Sequence, residues 1–109
     1  MLSKLQIRLI IITAVILLIS ISEISAQNTE IDSLLNEYYK SYNDTVKVDL
    51  LNTISQKLAA SDNEQALEYA NKSIEIAKNA DIQDGLARAY KARGIVFFYG
   101  GNIEKAMES

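Results

Sequence analysis

The sequence predicts an all-α fold of antiparallel helix pairs repeated along the chain. Three observations predict it. Apolar residues recur at spacings of three and four from Ile31 to Met107. There is no proline, and the four glycines all lie after residue 84, so long stretches hold no helix breaker. The chain also repeats itself. Ile54-Ser55-x-x-Leu58 is followed by Asn63-Glu64-Gln65-Ala66-Leu67-Glu68, and Arg93-Gly94-x-x-Phe97 by Ile103-Glu104-Lys105-Ala106-Met107-Glu108. Ala66 and Ala106 are 40 residues apart. A period of about 20–50 residues made of helix pairs marks an α-solenoid, because one pair cannot bury its own apolar face.

Residues 1–26 are set apart by composition. Lys4 and Arg8 give a basic start, Leu9 to Ile21 is apolar except for Thr13 and Ser20, and Ile24-Ser25-Ala26 precedes Gln27. That order is a secretory signal peptide. The run is shorter than the about 20 apolar residues of a spanning helix, so an uncleaved membrane anchor is the weaker alternative. The expected location is therefore exported, on the periplasmic or extracytoplasmic side. A membrane enters only through the export signal or through a segment downstream of this sequence. Removing residues 1–26 leaves 9 basic and 13 acidic side chains, a net charge of −4. An acidic chain without a basic patch disfavours nucleic acid as a partner. The absence of cysteine removes disulfides and a lipid-attachment cysteine.

The elements follow in order. Residues 27–44 form an amphipathic helix that Thr29 caps, with Ile31, Leu34, Leu35, Tyr38, Tyr39 and Tyr42 at helical spacing. Asn43 and Asp44 favour a turn. Residues 45–82 are the first repeat. Its first helix carries Val48, Leu51, Ile54, Ser55 and Leu58 on one face, and Ser61-Asp62-Asn63 breaks it and caps the next. The second helix, to about Asn79, has a narrow stripe of Ala66, Leu67, Ala70, Ser73, Ile74 and Ala77, suited to tight antiparallel packing. Residues 83–109 are a second, incomplete repeat: a helix over Asp84–Tyr99, a glycine stop at Gly100-Gly101-Asn102, and one further turn. Gly94 in mid-helix suggests close approach of a second helix. A repeat left short in this way predicts the front part of a longer protein, with a complete protein that pairs through this end as the alternative.

The segment Ala87 to Ala106 resembles the tetratricopeptide repeat. Tyr90, Gly94, Phe97, Gly101-Asn102, Ile103 and Ala106 occupy the pattern, and Arg93 departs from its usual leucine. The earlier copy, Asp49 to Lys78, keeps Ile54, Ser55, Leu58, Ala66, Ala70 and Ser73. The 40-residue spacing belongs to a longer variety than the usual repeat of about 34. With the export signal, the chain is similar to the exported N-terminal region of bacterial, Bacteroidetes-type, membrane-bound histidine kinases and helix-turn-helix regulators. The resemblance implies a non-catalytic scaffold that binds a protein or peptide on its concave face. Arg88, Lys91, Ile95, Phe98 and Tyr99 would face that groove in the second unit, and Asp49, Asn52 and Gln56 in the first. Members that grip a peptide's terminal carboxylate pair lysine with asparagine one turn apart. Here Ile95 follows Lys91 and Gln56 follows Asn52, so that clamp is not intact.

Little else in the sequence carries chemistry. Without histidine or cysteine, catalysis by either is excluded. Gly100-Gly101-Asn102 lacks the lysine and hydroxyl of a phosphate loop. Asp81 and Asp84 lack the ligand spacing of a calcium loop and read as solvated turn acids. Asn43-Asp44-Thr45 and Asn71-Lys72-Ser73 match a glycosylation acceptor, a three-residue pattern of low weight. No catalytic residue, metal ligand or cofactor site is expected. A catalytic domain beyond Ser109, as in a sensor kinase, is one alternative, and a stand-alone exported adaptor is another.

Overall fold

A computed structural model describes residues 3–108, with side chains placed for all of these except 19–27, 103, 105, 106 and 108. It holds four helices: α1 (Lys4–Lys40), α2 (Asp44–Leu58), α3 (Asn63–Asn79) and α4 (Gln83–Glu108). No strand occurs among the described residues. The all-α expectation is therefore met. The chain divides into two compact units, Met1–Asp32 and Ser33–Ser109.

The first unit is helical from Lys4. A capping box starts it: the Ser3 N–H donates to Gln6 Oε1 at 2.9 Å, and the Gln6 N–H donates to Ser3 Oγ at 3.2 Å. Its apolar side chains from Leu5 to Leu18 are exposed. No helix of the described residues is long and apolar enough to cross a membrane. The helix start expected at Glu30 is not made, because α1 runs unbroken through Thr29. Residues 22–29 contain neither glycine nor proline, so in the uncut chain each added residue simply gains another helical hydrogen bond.

In the second unit each helix boundary has a chemical cause. Asn43 caps α2, its side-chain oxygen accepting from the Val46 N–H at 3.1 Å. Asp62 caps α3 by accepting from the Gln65 N–H at 3.2 Å. The end of α3 is a Schellman motif: Ile82 N–H donates to Ala77 O at 2.9 Å, and Asp81 N–H to Lys78 O at 3.2 Å. Asp81 occupies the left-handed position with φ 54. Glycine there avoids the Cβ penalty, so Asp81→Gly is expected to raise stability by roughly 0.5–1 kcal/mol. Urea denaturation checks this, and an unchanged or lower midpoint would contradict it.

Hydrogen bonds set the register. Ser55 Oγ donates to Ala66 O at 2.8 Å, and Ser73 Oγ to Asn52 Oδ1 at 2.6 Å, so α2 and α3 run antiparallel. Asn71 lies opposite Arg93 and Lys78 opposite Tyr90, which makes α3 and α4 antiparallel as well. The α3 stripe is buried as expected at Ala66, Ala70, Ser73, Ile74 and Ala77, while Leu67 is half-buried. Val48, Leu51 and Ile54 from α2 and Ala89, Ala92 and Val96 from α4 complete the core with no exposed surface.

The glycines depart from expectation. α4 does not stop at Gly100-Gly101-Asn102 but continues to Glu108, and no glycine has positive φ. Glycine permits a left-handed stop without forcing one. Extending α4 through Gly100 and Gly101 needs no new helix nucleus. Nor is Gly94 a point of close approach: a Cβ there would have no neighbour within 4 Å. The close approaches are elsewhere. A Cβ on Gly85 would meet Val48 Cγ1 at 3.0 Å, and one on Gly100 would meet Asn63 Oδ1 at 2.9 Å.

Asn63 explains the second of these. Its amide donates to Ala59 O at 3.0 Å and to Val96 O at 2.7 Å, tying the end of α2 to α4. Alanine at the two glycines should therefore act with opposite sign. Gly94→Ala gains about 1 kcal/mol of helix propensity in open space. Gly100→Ala pushes on the Asn63 amide and forfeits hydrogen bonds worth about 0.5–1.5 kcal/mol each, for a net loss of roughly 1 kcal/mol. Thermal unfolding of the two variants checks this, and the same sign for both would refute it.

Candidate functional site: the groove between α2 and α4

α2 and α4 lie side by side with α3 behind them. Arg88 Nη2 meets Asp49 Oδ1 at 2.8 Å, and Asn63 bridges Ala59 to Val96 further along, so the two helices run in the same direction. Between them is a groove of about 420 Å³ lined by Asp49, Asn52, Thr53, Gln56, Arg88 and Lys91. Spacings of three and four place these residues on one face of each helix. Five of them are residues the sequence pointed to. Thr53 is the addition. It stands four residues after Asp49 and three before Gln56, on the same face, and its hydroxyl donates to Asp49 O at 2.9 Å.

The groove has charged ends and a polar floor. The Arg88–Asp49 pair is about half exposed on each side, so water screens it and it adds little to stability. Its use is geometric: it fixes both side chains at the groove's rim. Lys91 and Gln56 are exposed. Asn52 is different. It is 5% exposed, its Oδ1 accepts from Ser73, and its buried Nδ2 has no hydrogen-bond partner among the described residues. An unmet buried donor costs about 1–3 kcal/mol, and the described residues supply no acceptor for this amide.

Ile95, Phe98 and Tyr99, expected on the same surface, do not line the groove. Ile95 is half-buried, and Phe98 and Tyr99 stand exposed as an edge-on pair with centroids 5.6 Å apart. For Phe98 and Tyr99 the reason is helix length. α2 ends at Leu58 while α4 runs on to Glu108, so with Asp49 level with Arg88 the groove loses its α2 wall near Phe98. Arg93, the departure from the repeat pattern, lies across two aromatic rings, 5.1 Å from the centroid of Tyr90 and 5.9 Å from that of Phe97.

The chain matches no family model, no curated protein and no solved structure. The groove's own chemistry therefore bears the weight of any functional statement. Among the described residues, no group of three or more acidic, histidine or cysteine side chains is placed to hold a metal ion. Away from the groove, Tyr38 is buried under the Lys72 ammonium, 5.4 Å from its ring. Partial burial, with Tyr39 and Glu68 nearby, raises the Tyr69 phenol above its ordinary pKa. Neither lies near the groove residues in sequence or shares a contact with them.

Proposed function

We propose that this chain is a non-catalytic interaction scaffold of the tetratricopeptide type, exported and serving a signalling protein, and that it holds an extended protein segment in the α2–α4 groove. The observation that carries this is the Asn52 amide: a buried donor with no partner among the described residues, beside a groove whose other side chains, Gln56 and Lys91, can also donate. A polypeptide segment offers acceptors at every residue, and the groove's volume suits a few residues of it. Support for export is the composition of residues 1–26. Support for the repeat type is the 40-residue spacing and the antiparallel order of α2, α3 and α4. The signalling context rests on resemblance to exported sensor regions.

Panning a random peptide library against the full chain tests the groove. Selected peptides should bind Lys91→Glu at least about 10-fold more weakly, a loss near 1.4 kcal/mol. Lys91 is exposed, so the variant should fold as the parent does, which circular dichroism checks. Peptides that bind parent and variant equally, or a library that yields none, would overturn the assignment of the groove.

A further inference from the structure

We infer that the apolar start of α1 stays with the exported chain and anchors it in the hydrocarbon of an anionic lipid bilayer, without crossing it. The basis is exposure on every side of the helix. Leu9, Ile10, Ile11 and Ile12 are consecutive, so at about 100° per residue they cover a full turn. Leu9, Ile10 and Ile11 are each 56% exposed and Ile12 is 55% exposed. No side of this turn is packed against another helix. Val15 and Leu17 are exposed in the same way further on. A protein groove would cover one face of such a helix and leave the others in water, whereas hydrocarbon covers all of them.

The polar groups of this stretch fit the same surroundings. Thr13 is the sole polar residue from Leu9 to Leu18, and its hydroxyl donates to Leu9 O at 2.8 Å. A hydroxyl bonded within its own helix enters hydrocarbon with its donor satisfied. Lys4 and Arg8 are exposed and one turn apart, so they share a face, and no acid precedes Glu23. Two cations there suit the phosphates of anionic lipids, which long side chains reach from beside an apolar run. From Leu9 to Ile21 the helix is about 20 Å long, against about 30 Å of hydrocarbon, so it embeds without crossing. Retention follows from the backbone. Proteolysis favours irregular, exposed chain, and α1 runs as helix past Ala26, where the residue pattern puts the cut. This inference rests on the export reading of the proposed function and makes no use of the groove.

The test has two parts. The full chain is first expressed in a bacterium, fractionated and weighed. The product is expected to keep residues 1–26, to sediment with membranes, and to be released by detergent and not by salt. A product that begins at Gln27 overturns the inference. The purified full chain is then floated with vesicles of phosphatidylcholine, alone or mixed with phosphatidylglycerol. Binding at low salt should be at least about 10-fold tighter to the anionic vesicles, and Ile12→Asp should weaken it at least about 10-fold. Tyr42→Asp, on an equally open side chain of the second unit, should leave it unchanged. The Ile12 side chain is exposed, so the variant should fold as the parent does, which circular dichroism checks. Absent binding, or binding that ignores Ile12→Asp, overturns the inference. Self-pairing through this helix without flotation does so too, since the occupant is then a second copy. Protease added outside the membrane reports export separately. An anchored chain that it cannot reach sinks the export reading and this inference together, whereas an exported chain cut at Ala26 sinks this inference alone.

Discussion

Leu51→Ala is expected to cost about 2–5 kcal/mol and to leave the second helical unit close to unfolding. Leu51 has no exposed surface and sits in the centre of the α2 face. Its removal leaves a cavity that the small residues of α3 cannot fill, because Ala66, Ala70 and Ala77 have no atoms to move into it. The neighbouring Leu50 is half-buried, so Leu50→Ala should cost less than half as much. Urea denaturation followed by far-ultraviolet circular dichroism measures both. Equal midpoint shifts for the two leucines would mean that α2 is not seated as described. The effect belongs to packing and should appear with or without a bound partner.

Ala70→Leu should be nearly as damaging, at about 1–3 kcal/mol, although leucine forms helix almost as well as alanine. Ala70 has no exposed surface, and α3 is packed against both α2 and α4. Three added carbons would force the helices apart and break the short Ser55–Ala66 and Ser73–Asn52 contacts, at 2.8 and 2.6 Å. Because Asn52 and Lys91 sit on helices that α3 spaces, the groove should widen and peptide binding should fall with stability. The same change at the exposed Ala87 should stay within about 0.5 kcal/mol. Thermal unfolding settles the contrast: a neutral Ala70→Leu would mean that the stripe is small for some reason other than close approach.

Asn52 sets a polar group into this packing. A leucine in its place would remove the donor that has no partner among the described residues, but it would also forfeit the 2.6 Å bond that Asn52 Oδ1 accepts from Ser73. The exposed Arg88–Asp49 pair adds little to stability and fixes two side chains at the groove's rim.

Much of the local structure of the second unit is legible in residue order alone. The Asp62 cap, the small stripe of α3 and the apolar face of α2 are read from residue types and their spacing and are found there, while Asn43, read as a turn residue, proves to cap α2. Five residues of the groove were among those the resemblance to the tetratricopeptide repeat implied for a concave face. The rest depends on how the helices pack. Whether Gly94 or Gly100 takes the close approach depends on which face of α4 meets Asn63, and that is a fact about three helices at once. Whether Gly100-Gly101 stops α4 depends on whether a following helix rewards the turn, which the glycines alone do not encode. That Phe98 and Tyr99 fall outside the groove follows from the end of α2 at Leu58, on another helix. Periodicity fixes which residues of a helix lie together, but which neighbour covers them is set by packing between segments far apart in the chain.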